Sequence, residues 1–468
     1  MVSLVLSLCL PDIFYLVIVS LLLFVFFLTL RKEIFISLIL GIFIALGLIL
    51  SEDNPKYGPL SYDLYKPFDA QLLVVETDYS DIKGENDTAV CKILNKDSHK
   101  VLVYFYGETL PEINDVVTVS GLRLRSPADS PPDYEYYNKY LKSKNIRYTA
   151  FVGEKYYKIT DKNQGAFLAK HARAFNKFLN SKIQTTFKTP RTSAFLRGLL
   201  LGDKDGFSLE DYNAFKESGS VHIVSVSGFH VMLLLSIVRI FLKKLPKIPR
   251  DIITVLFLVF LILVTGCTPS VIRASVMVII AIFSVYILRD SDSENALCLV
   301  AIFLIISNRY IIHNISFVLS FAATYGIVKC SSPLNSFTSF VPDFIRSPIC
   351  ATISAQLGVF PAMMLYFGST SSYSVIPNLV ISLVVPALFA ATPLALITDF
   401  HILIKLCDII CEFLFDIVHA VARLPFNTVM VESTPFSLVL MTLTAYLSCT
   451  LLCKLHIQRK RTLLKGEN

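Results

Sequence analysis

Charged side chains are scarce in this sequence. Asp, Glu, Lys and Arg make up only 17% of its 468 residues, whereas soluble proteins carry about a quarter. Hydrophobic residues make up 54% and gather in long runs, with one polar block of about 170 residues between them. This composition excludes an ordinary soluble protein and predicts a polytopic α-helical membrane protein.

Several chemical signatures are absent as well. The sequence contains no phosphate-binding loop and no H-x-H-x-D-H metal cluster, and its eight histidines are dispersed. Most of the ten cysteines lie in apolar segments, so no disulfide framework is indicated. The pairs Cys407/Cys411 and Cys449/Cys453 are interpreted as small packing residues. The sequence therefore predicts no metal site, no cofactor and no catalytic centre.

About eleven apolar runs are candidates for crossing the bilayer, which takes about twenty residues each. The first run lacks a basic start and a cleavage signal, so the first two runs are interpreted as a retained hairpin. The run at 400–420 contains four charged residues and has an amphipathic interfacial helix as its alternative. The predicted spans are 12–30, 34–50, 222–242, 251–266, 270–288, 295–308, 311–330, 347–368, 374–398, 400–420 and 435–454.

Basic residues in short loops predict the orientation, because Lys and Arg are enriched on the cytoplasmic side. They occur at Arg31 and Lys32, in the 243–250 loop and at 459–461. If there are eleven spans, all three positions lie on the same side of the membrane. We therefore expect the N-terminus and residues 51–220 outside the cytoplasm and the C-terminus inside.

The pattern along the chain predicts a division into five parts. The polar block contains alternating apolar runs (LLVVE, AVCKIL, KVLVYFYG, DVVTVSGLRL, IRYTAFV) that predict five strands of a small β-barrel, and PPDYEYYNKYLKSKNI predicts a helix. The predicted parts are a transmembrane hairpin (1–50), an extracytoplasmic β domain inserted after the second span (51–160), amphipathic and short linking helices (161–220), a polytopic channel domain (221–455) and a basic cytoplasmic tail (456–468).

Charge is distributed unevenly within the polar block. Residues 51–138 contain 8 basic and 16 acidic side chains, whereas residues 139–191 contain 13 basic and 2 acidic ones, with tyrosines interleaved. Such a stretch suits single-stranded nucleic acid, since phosphates pair with basic groups and bases stack on rings. Anionic lipid headgroups explain it equally well. The candidate DNA-binding residues are Lys139, Lys142, Lys144, Arg147, Tyr148, Lys155, Arg173 and Lys177.

Polar residues also cluster inside apolar surroundings, in SGSVHIVSVSGFHVMLL at 218–234 and around Arg273. On one helix, His222, Ser225 and His230 would share a face. Such groups are costly in a span unless they face a cavity, partner or ligand, although hydrogen-bonded helix packing is an alternative. Asp205, Glu210 and Asp211 are candidate partners of Arg273. The candidate channel-lining or gating residues are His222, Ser225, Ser227, Gly228, His230, Arg273, Asn314, Gln356 and Asn378.

The run FLRGLLLGDKDGFSLEDYNAFKESGSVHIVSVSGFHVMLL at 195–234 closely resembles the hallmark of the ComEC family of competence proteins. The resemblance continues through essentially the whole chain. PPDYEYYNKYLKSKNI resembles the exit of the family's N-terminal OB-like domain. Further matches are TPSVIRA at 268–274, FVLSFAATYGI at 317–327, AQLGVFPAMMLYFG at 355–368 and the step Pro377–Asn378.

The resemblance implies a multi-pass channel of the bacterial cytoplasmic membrane that takes up single-stranded DNA during natural transformation. Its extracytoplasmic OB-like domain would receive the strand. The implied partners are single-stranded DNA, membrane lipid, a separate nuclease, a DNA receptor and a cytoplasmic helicase. Family members often carry a C-terminal metallo-β-lactamase-like domain, and the HIQRKRTLLKGEN tail cannot hold one, so no nuclease activity is expected of this chain.

The alternative function is a polytopic membrane enzyme or small-solute transporter that uses the His222–His230 and Arg273 cluster. A Ser–His nucleophile pair is not supported, because Ser227 and His230 would lie three residues apart on one helix. The sequence does not indicate an oligomeric state.

Overall fold

The computed structural model describes residues 65–78, 87–94, 100–107, 110–113, 115–126, 135–161, 167–203, 206–224, 227–265, 268–286, 293–338 and 340–430. The predicted spans at 12–30, 34–50 and 435–454 and the basic tail lie outside these residues. The chain divides into two compact units. The sheet unit comprises Leu46–Phe178 and Leu304–Ile315, and the helical unit comprises Met1–Ala45, Leu179–Phe303 and Ser316–Asn468.

The sheet unit contains a mixed six-stranded sheet with the strand order β5-β3-β2-β1-β4-β6. Strands formed at all five predicted positions, and β6 was not predicted. Strands β3 and β5 pair in parallel, whereas the other pairs are antiparallel. The strands are β1 (Phe68–Asp78), β2 (Asp87–Ile93), β3 (Lys100–Tyr106), β4 (Val116–Leu122), β5 (Ile146–Gly153) and β6 (Tyr157–Asp161).

Alternation along β5 shows how side chains are sorted between the two faces of the sheet. Successive side chains of a strand point to opposite faces, so the charged Arg147 determines which face is outward. Tyr148 therefore points into the core, where only 1% of it is exposed, and Phe151 points outward. The ring of Tyr148 is thus unavailable for stacking on a base, contrary to its predicted role.

Helix α1 (Glu135–Ser143) follows β4 as the sequence predicted, and it contacts a 3₁₀ turn at Arg309–His313. The side-chain amide of Asn308 donates a 2.6 Å hydrogen bond to the carbonyl oxygen of Ser143, and the ammonium of Lys142 lies 5.5 Å from the ring centroid of Tyr310. A short segment that is distant in sequence therefore belongs to the sheet unit.

The linking region predicted at 161–220 contains one long helix (Phe167–Thr186) and two short helices (Pro190–Leu201 and Leu209–Glu217), as the sequence indicated. Four of the described helices contain segments long and apolar enough to cross a membrane, namely Pro269–Tyr286, Ile315–Phe337, Ile345–Phe367 and Val375–Thr398. After α1, the described helices in chain order are α2 (Phe167–Thr186), α3 (Pro190–Leu201), α4 (Leu209–Glu217), α5 (Gly228–Phe241), α6 (Lys247–Val264), α7 (Pro269–Tyr286), α8 (Ser293–Ser307), α9 (Ile315–Phe337), α10 (Asp343–Phe367), α11 (Val375–Thr398) and α12 (His401–Ala422). A short antiparallel pair, β7 (Ser369–Ser371) and β8 (Thr428–Met430), was not predicted.

Helices α9 and α10 approach closely through glycine. A Cβ atom at Gly358 would overlap the carbonyl oxygen of Ala322, and one at Gly326 would overlap the carbonyl oxygen of Ser354. Small residues spaced four apart on both helices allow such backbone contact between membrane helices. The runs FAATYGI and AQLGVF therefore have a packing explanation.

Helix α12, predicted at 400–420, packs one face against α3, α4 and α11. Cys407 and Cys411 are fully buried on that face, which confirms that these two cysteines are packing residues. Cys330 in α9 differs, because its sulfur forms a disulfide. Charged residues exclude α12 from the four apolar spans, so its two interpretations stay open.

The buried carboxylate of Asp211 connects α12 to α3 and α4 through hydrogen bonds. Asp211 accepts a 3.2 Å hydrogen bond from Nε of Arg191 and a 2.6 Å bond from the hydroxyl of Ser208, and Nε2 of His419 lies 2.8 Å from its Oδ1. Burial raises the pKa of the Asp211 carboxyl, but the hydrogen bonds from Ser208 and His419 and the charge of Arg191 outweigh that effect. Its pKa therefore lies below the ordinary value, and the carboxyl stays ionised at neutral pH. The network loses its stabilising effect only as the pH falls through this lowered pKa.

We expect Asp211→Asn to destabilise the helical unit by about 1–3 kcal/mol, because Arg191 and His419 would lose their charged acceptor. The thermal midpoint of the purified protein in detergent measures this change. The matched control is Glu412→Gln, since the side chain of Glu412 is 41% exposed and lies 4.0 Å from Arg191. Its effect should stay within about 0.5 kcal/mol. Equal midpoints for the two variants would contradict a structural role of the network.

Candidate functional site

The polar motif at 218–234 does not form one continuous helix. Val221–Ile223 forms a 3₁₀ turn, and helix α5 begins only at Gly228, with Ser227 as its N-cap residue. Serine is favoured at this position because its side chain can satisfy the free N–H groups of the first turn. The expectation that His222 and His230 share one helical face was therefore wrong. Ser225 lies outside the described residues.

His230 is fully buried in the first turn of α5. Its Nδ1 accepts a 2.8 Å hydrogen bond from the backbone N–H of Ser227, which places the proton of a neutral imidazole on Nε2. Nε2 is buried and has no hydrogen-bond partner among the described residues. The imidazole also stacks on the ring of Phe389 in α11, with 5.4 Å between ring centroids. His230 thus fixes the start of α5 and leaves one polar atom unsatisfied.

Arg273, one turn into α7, lies beside that same helix start. A Cβ atom at Gly228 would come within 2.5 Å of its Nη2, so only glycine leaves room for the guanidinium. Nε donates a 2.8 Å hydrogen bond to the hydroxyl of Ser320 in α9, and Nη1 lies 3.8 Å from the sulfur of Met277. Among the described residues, no carboxylate pairs with this side chain, which is only 9% exposed.

Three other arginines of the helical unit differ from Arg273 in this respect, because each contacts a largely buried carboxylate. The predicted partnership between Asp211 and Arg273 was therefore wrong, while Glu210 is exposed and Asp205 lies outside the described residues. The three ion pairs are Arg191 with Asp211 at 3.1 Å, Arg197 with Asp203 at 3.2 Å and Arg239 with Asp251 at 3.2 Å.

The other candidate lining residues differ in exposure and in hydrogen bonding. His222 has an exposed side chain on the 3₁₀ turn, and Gln356 is half-buried in α10. Asn378 is buried near the start of α11, and its Oδ1 has no hydrogen-bond partner in the described part of the chain. Asn314 is buried in the sheet unit, where its side-chain amide lies 3.5 Å from the hydroxyl of Ser143.

Several buried polar atoms of the helical unit have no hydrogen-bond partner within the described ranges. Isolated polar atoms are costly in a dry apolar interior, and water, a ligand or another part of the chain would satisfy them. Two of them, on Thr268 and Ser275, lie within five residues of Arg273 in sequence. These atoms are His230 Nε2, Thr268 Oγ1, Ser275 Oγ, Ser354 Oγ and Asn378 Oδ1.

The basic stretch is partly neutralised within the sheet unit. Lys144 pairs with Glu76 at 3.2 Å, and Lys177 pairs with Glu112 at 2.6 Å. Burial lowers the pKa of Lys144, but the charge of Glu76 outweighs it and raises the net value. The other candidates keep accessible surface: Lys155 is exposed, Lys139, Lys142 and Arg147 are half-buried, and the side chain of Arg173 is not described.

Sequence reasoning did not select Ser320 and Ser275 as site residues. Each is an isolated serine in an apolar run, which carries little signal without knowledge of the neighbouring helix. In the described ranges, no group of three His, Cys, Asp or Glu residues lies close enough together to hold a metal ion.

Comparison with known proteins adds independent information. A model of the competence protein family matches residues 199–456, which is more than half of the chain. The chain is also 28% identical over 193 residues to ComE operon protein 3 of Bacillus subtilis (strain 168), an alignment that covers 41% of this chain and 24% of that protein. No solved structure gives a significant match. The matched region contains α5, Arg273 and all four apolar spans, and the chain therefore belongs to the ComEC family of competence proteins.

Proposed function

We propose that this membrane protein, whose family acts in competence DNA uptake, conducts one DNA strand along the polar cluster at the start of α5. Arg273, Ser227, His230 and Ser320 line or shape the path. The observation that carries this proposal is the Arg273 guanidinium, which is buried among apolar helices without a carboxylate among the described residues. A buried charge is retained at such a position when a ligand or water meets it. The phosphodiester backbone supplies an anion of this kind at every nucleotide.

The length of α5 supports a water-filled path at this point. Its 14 residues extend about 21 Å, which is short of the roughly 30 Å of hydrocarbon. The non-helical segment before it is tolerated at membrane depth only if it is buried in protein or lines water. The free N–H groups at the start of α5 and the guanidinium beside them would both attract an anion.

The sheet unit is proposed to be an OB-type barrel that receives the strand outside the cytoplasm. Arg125, three residues after β4, exchanges backbone hydrogen bonds of 2.9 and 3.0 Å with Thr149 of β5. This bridge joins the chain after β4 to β5, and so it supports closure of β1–β5 into the partly open barrel typical of OB folds. The eleven spans, the external N-terminus and the cytoplasmic C-terminus belong to the same proposal.

The Arg273→Ala variant tests the path directly. We expect at least a tenfold loss of labelled DNA entry in a transformable host in which this protein replaces the resident channel, because the passing phosphates lose their buried counter-charge. Arg423→Ala is the matched control, since Arg423 is exposed at the end of α12 and its loss removes the same charge. Immunoblots of membrane fractions verify equal insertion. Normal DNA entry with Arg273→Ala would contradict the lining role.

Binding of single-stranded DNA by the full-length protein should weaken steeply as salt rises. If four basic groups contact phosphates, the logarithmic slope is about −2.8, and affinity falls roughly fiftyfold between 50 and 200 mM salt. Fluorescence anisotropy of a labelled oligonucleotide measures this. Affinity that does not change with salt, or no binding at the lowest salt, would contradict a receiving role for the basic stretch.

A further inference from the structure

An exposed row of aromatic rings lies on the outer face of the sheet unit. The rings of Tyr104 in β3 and Phe151 in β5 are stacked, with 4.7 Å between centroids and 12° between planes. Tyr106 continues the row at 6.5 Å and 18° from Phe151. Tyr106 is 47% exposed and Phe151 is 45% exposed. Large rings exposed together in this way mark an interaction site rather than a core.

The strand register explains why these rings align. Tyr104 pairs with Phe151 in the parallel β3–β5 ladder, and Tyr106 pairs with Gly153, which has no side chain to cover the neighbouring ring. Tyr104 also packs against the small cluster that includes Val90 and Leu102, so the base of the row is held rigidly. The row is therefore a preformed surface.

A guanidinium lies over the row. The backbone bridge between Arg125 and Thr149 carries the Arg125 side chain toward β5, where its Cζ is 5.0 Å from the centroid of Phe151. Arg125 is exposed, and no carboxylate within the described ranges pairs with it. Glu154 follows the last residue of β5 and lies beside Gly107 and Tyr157, whereas Arg125 pairs with Thr149 within the strand. Phosphates can therefore approach from the Arg125 side, away from the Glu154 carboxylate.

We propose that Tyr104, Tyr106, Phe151 and Arg125 form a base-stacking platform for single-stranded nucleic acid. This inference rests on the proposed function and specifies how the strand is held before it enters the membrane. Parallel rings with an adjacent cation match the alternation of base faces and phosphates along a single strand. The faces of the bases are covered in a duplex, so the platform selects the single-stranded form.

The test measures binding of two probes to the full-length protein in detergent by fluorescence anisotropy at fixed salt. One probe is a labelled thymidine oligonucleotide, and the other is an abasic strand of equal length. We expect Phe151→Leu and Tyr106→Leu each to weaken binding of the thymidine strand roughly tenfold, because each removes one ring from the row on which bases stack. Binding of the abasic strand should not change.

Two controls separate stacking from general damage. Tyr106→Phe keeps the ring and should bind like the wild type, and Tyr137→Leu removes an exposed ring that belongs to α1 and not to the row. Arg125→Gln provides a second measurement that does not depend on the stability of the ring variants. This variant should leave the rings in place. The slope of log affinity against log salt for the thymidine strand should fall by about the amount that one phosphate contact contributes.

The outcomes distinguish this inference from the proposed function. Unchanged thymidine-strand binding in both leucine variants, or equal wild-type affinity for the two probes, would overturn the platform while leaving phosphate-based reception intact. Tighter binding of a neutral oligosaccharide than of the thymidine strand would also overturn it. A wild-type protein that binds neither probe at low salt would overturn the receiving role itself.

Discussion

A guanidinium held among apolar helices, with no carboxylate partner in the described part of the chain, is the constraint on which this account depends. Burying such a charge is expensive, and proteins keep it only when a partner, water or a ligand compensates. The surrounding chain is arranged to hold it: Gly228 leaves room for it, Ser320 accepts a hydrogen bond from it, and His230 fixes the start of α5 beside it. In the proposed function, this guanidinium would also meet the phosphates of the passing strand.

The other ion pairs of the helical unit clarify why Arg273 is different. Arg191, Arg197 and Arg239 have carboxylate partners and connect helices, so their charges are satisfied by the fold itself. A transporter of small solutes would also use a polar cluster in the membrane. Such a transporter would not require an aromatic row with an accessible arginine on the sheet unit, whereas reception of a nucleic acid strand uses both features.

Much of the architecture could be predicted from local patterns, because strand alternation and long apolar runs are properties of neighbouring residues. The five strands and α1 formed where the sequence indicated them. The orientation of Tyr148 could also be predicted. Because the charged Arg147 must face outward, its neighbour Tyr148 points inward and Phe151 points outward. The parity of β5 therefore argues against a stacking role for Tyr148.

Features that depend on distant partners could not be predicted. The pairing of Asp211 with Arg191 and His419 joins residues up to 208 positions apart. The docking of the turn at Arg309–His313 on α1 likewise involves segments far apart in the chain. The start of α5 at Gly228 was missed for a different reason: the apolar run continues through 221–226, and only the cap at Ser227 marks the boundary.

Accessibility of Ser320 to water tests the central claim most directly. A Ser320→Cys variant, with its native cysteines replaced by serine, is exposed in intact membranes to a water-soluble thiol reagent, and a variant that keeps only the fully buried Cys407 serves as the dry reference. The account predicts rapid labelling at position 320 and protection from labelling while DNA is being taken up. A cysteine at position 320 that reacts no faster than Cys407 would contradict a wet path beside Arg273.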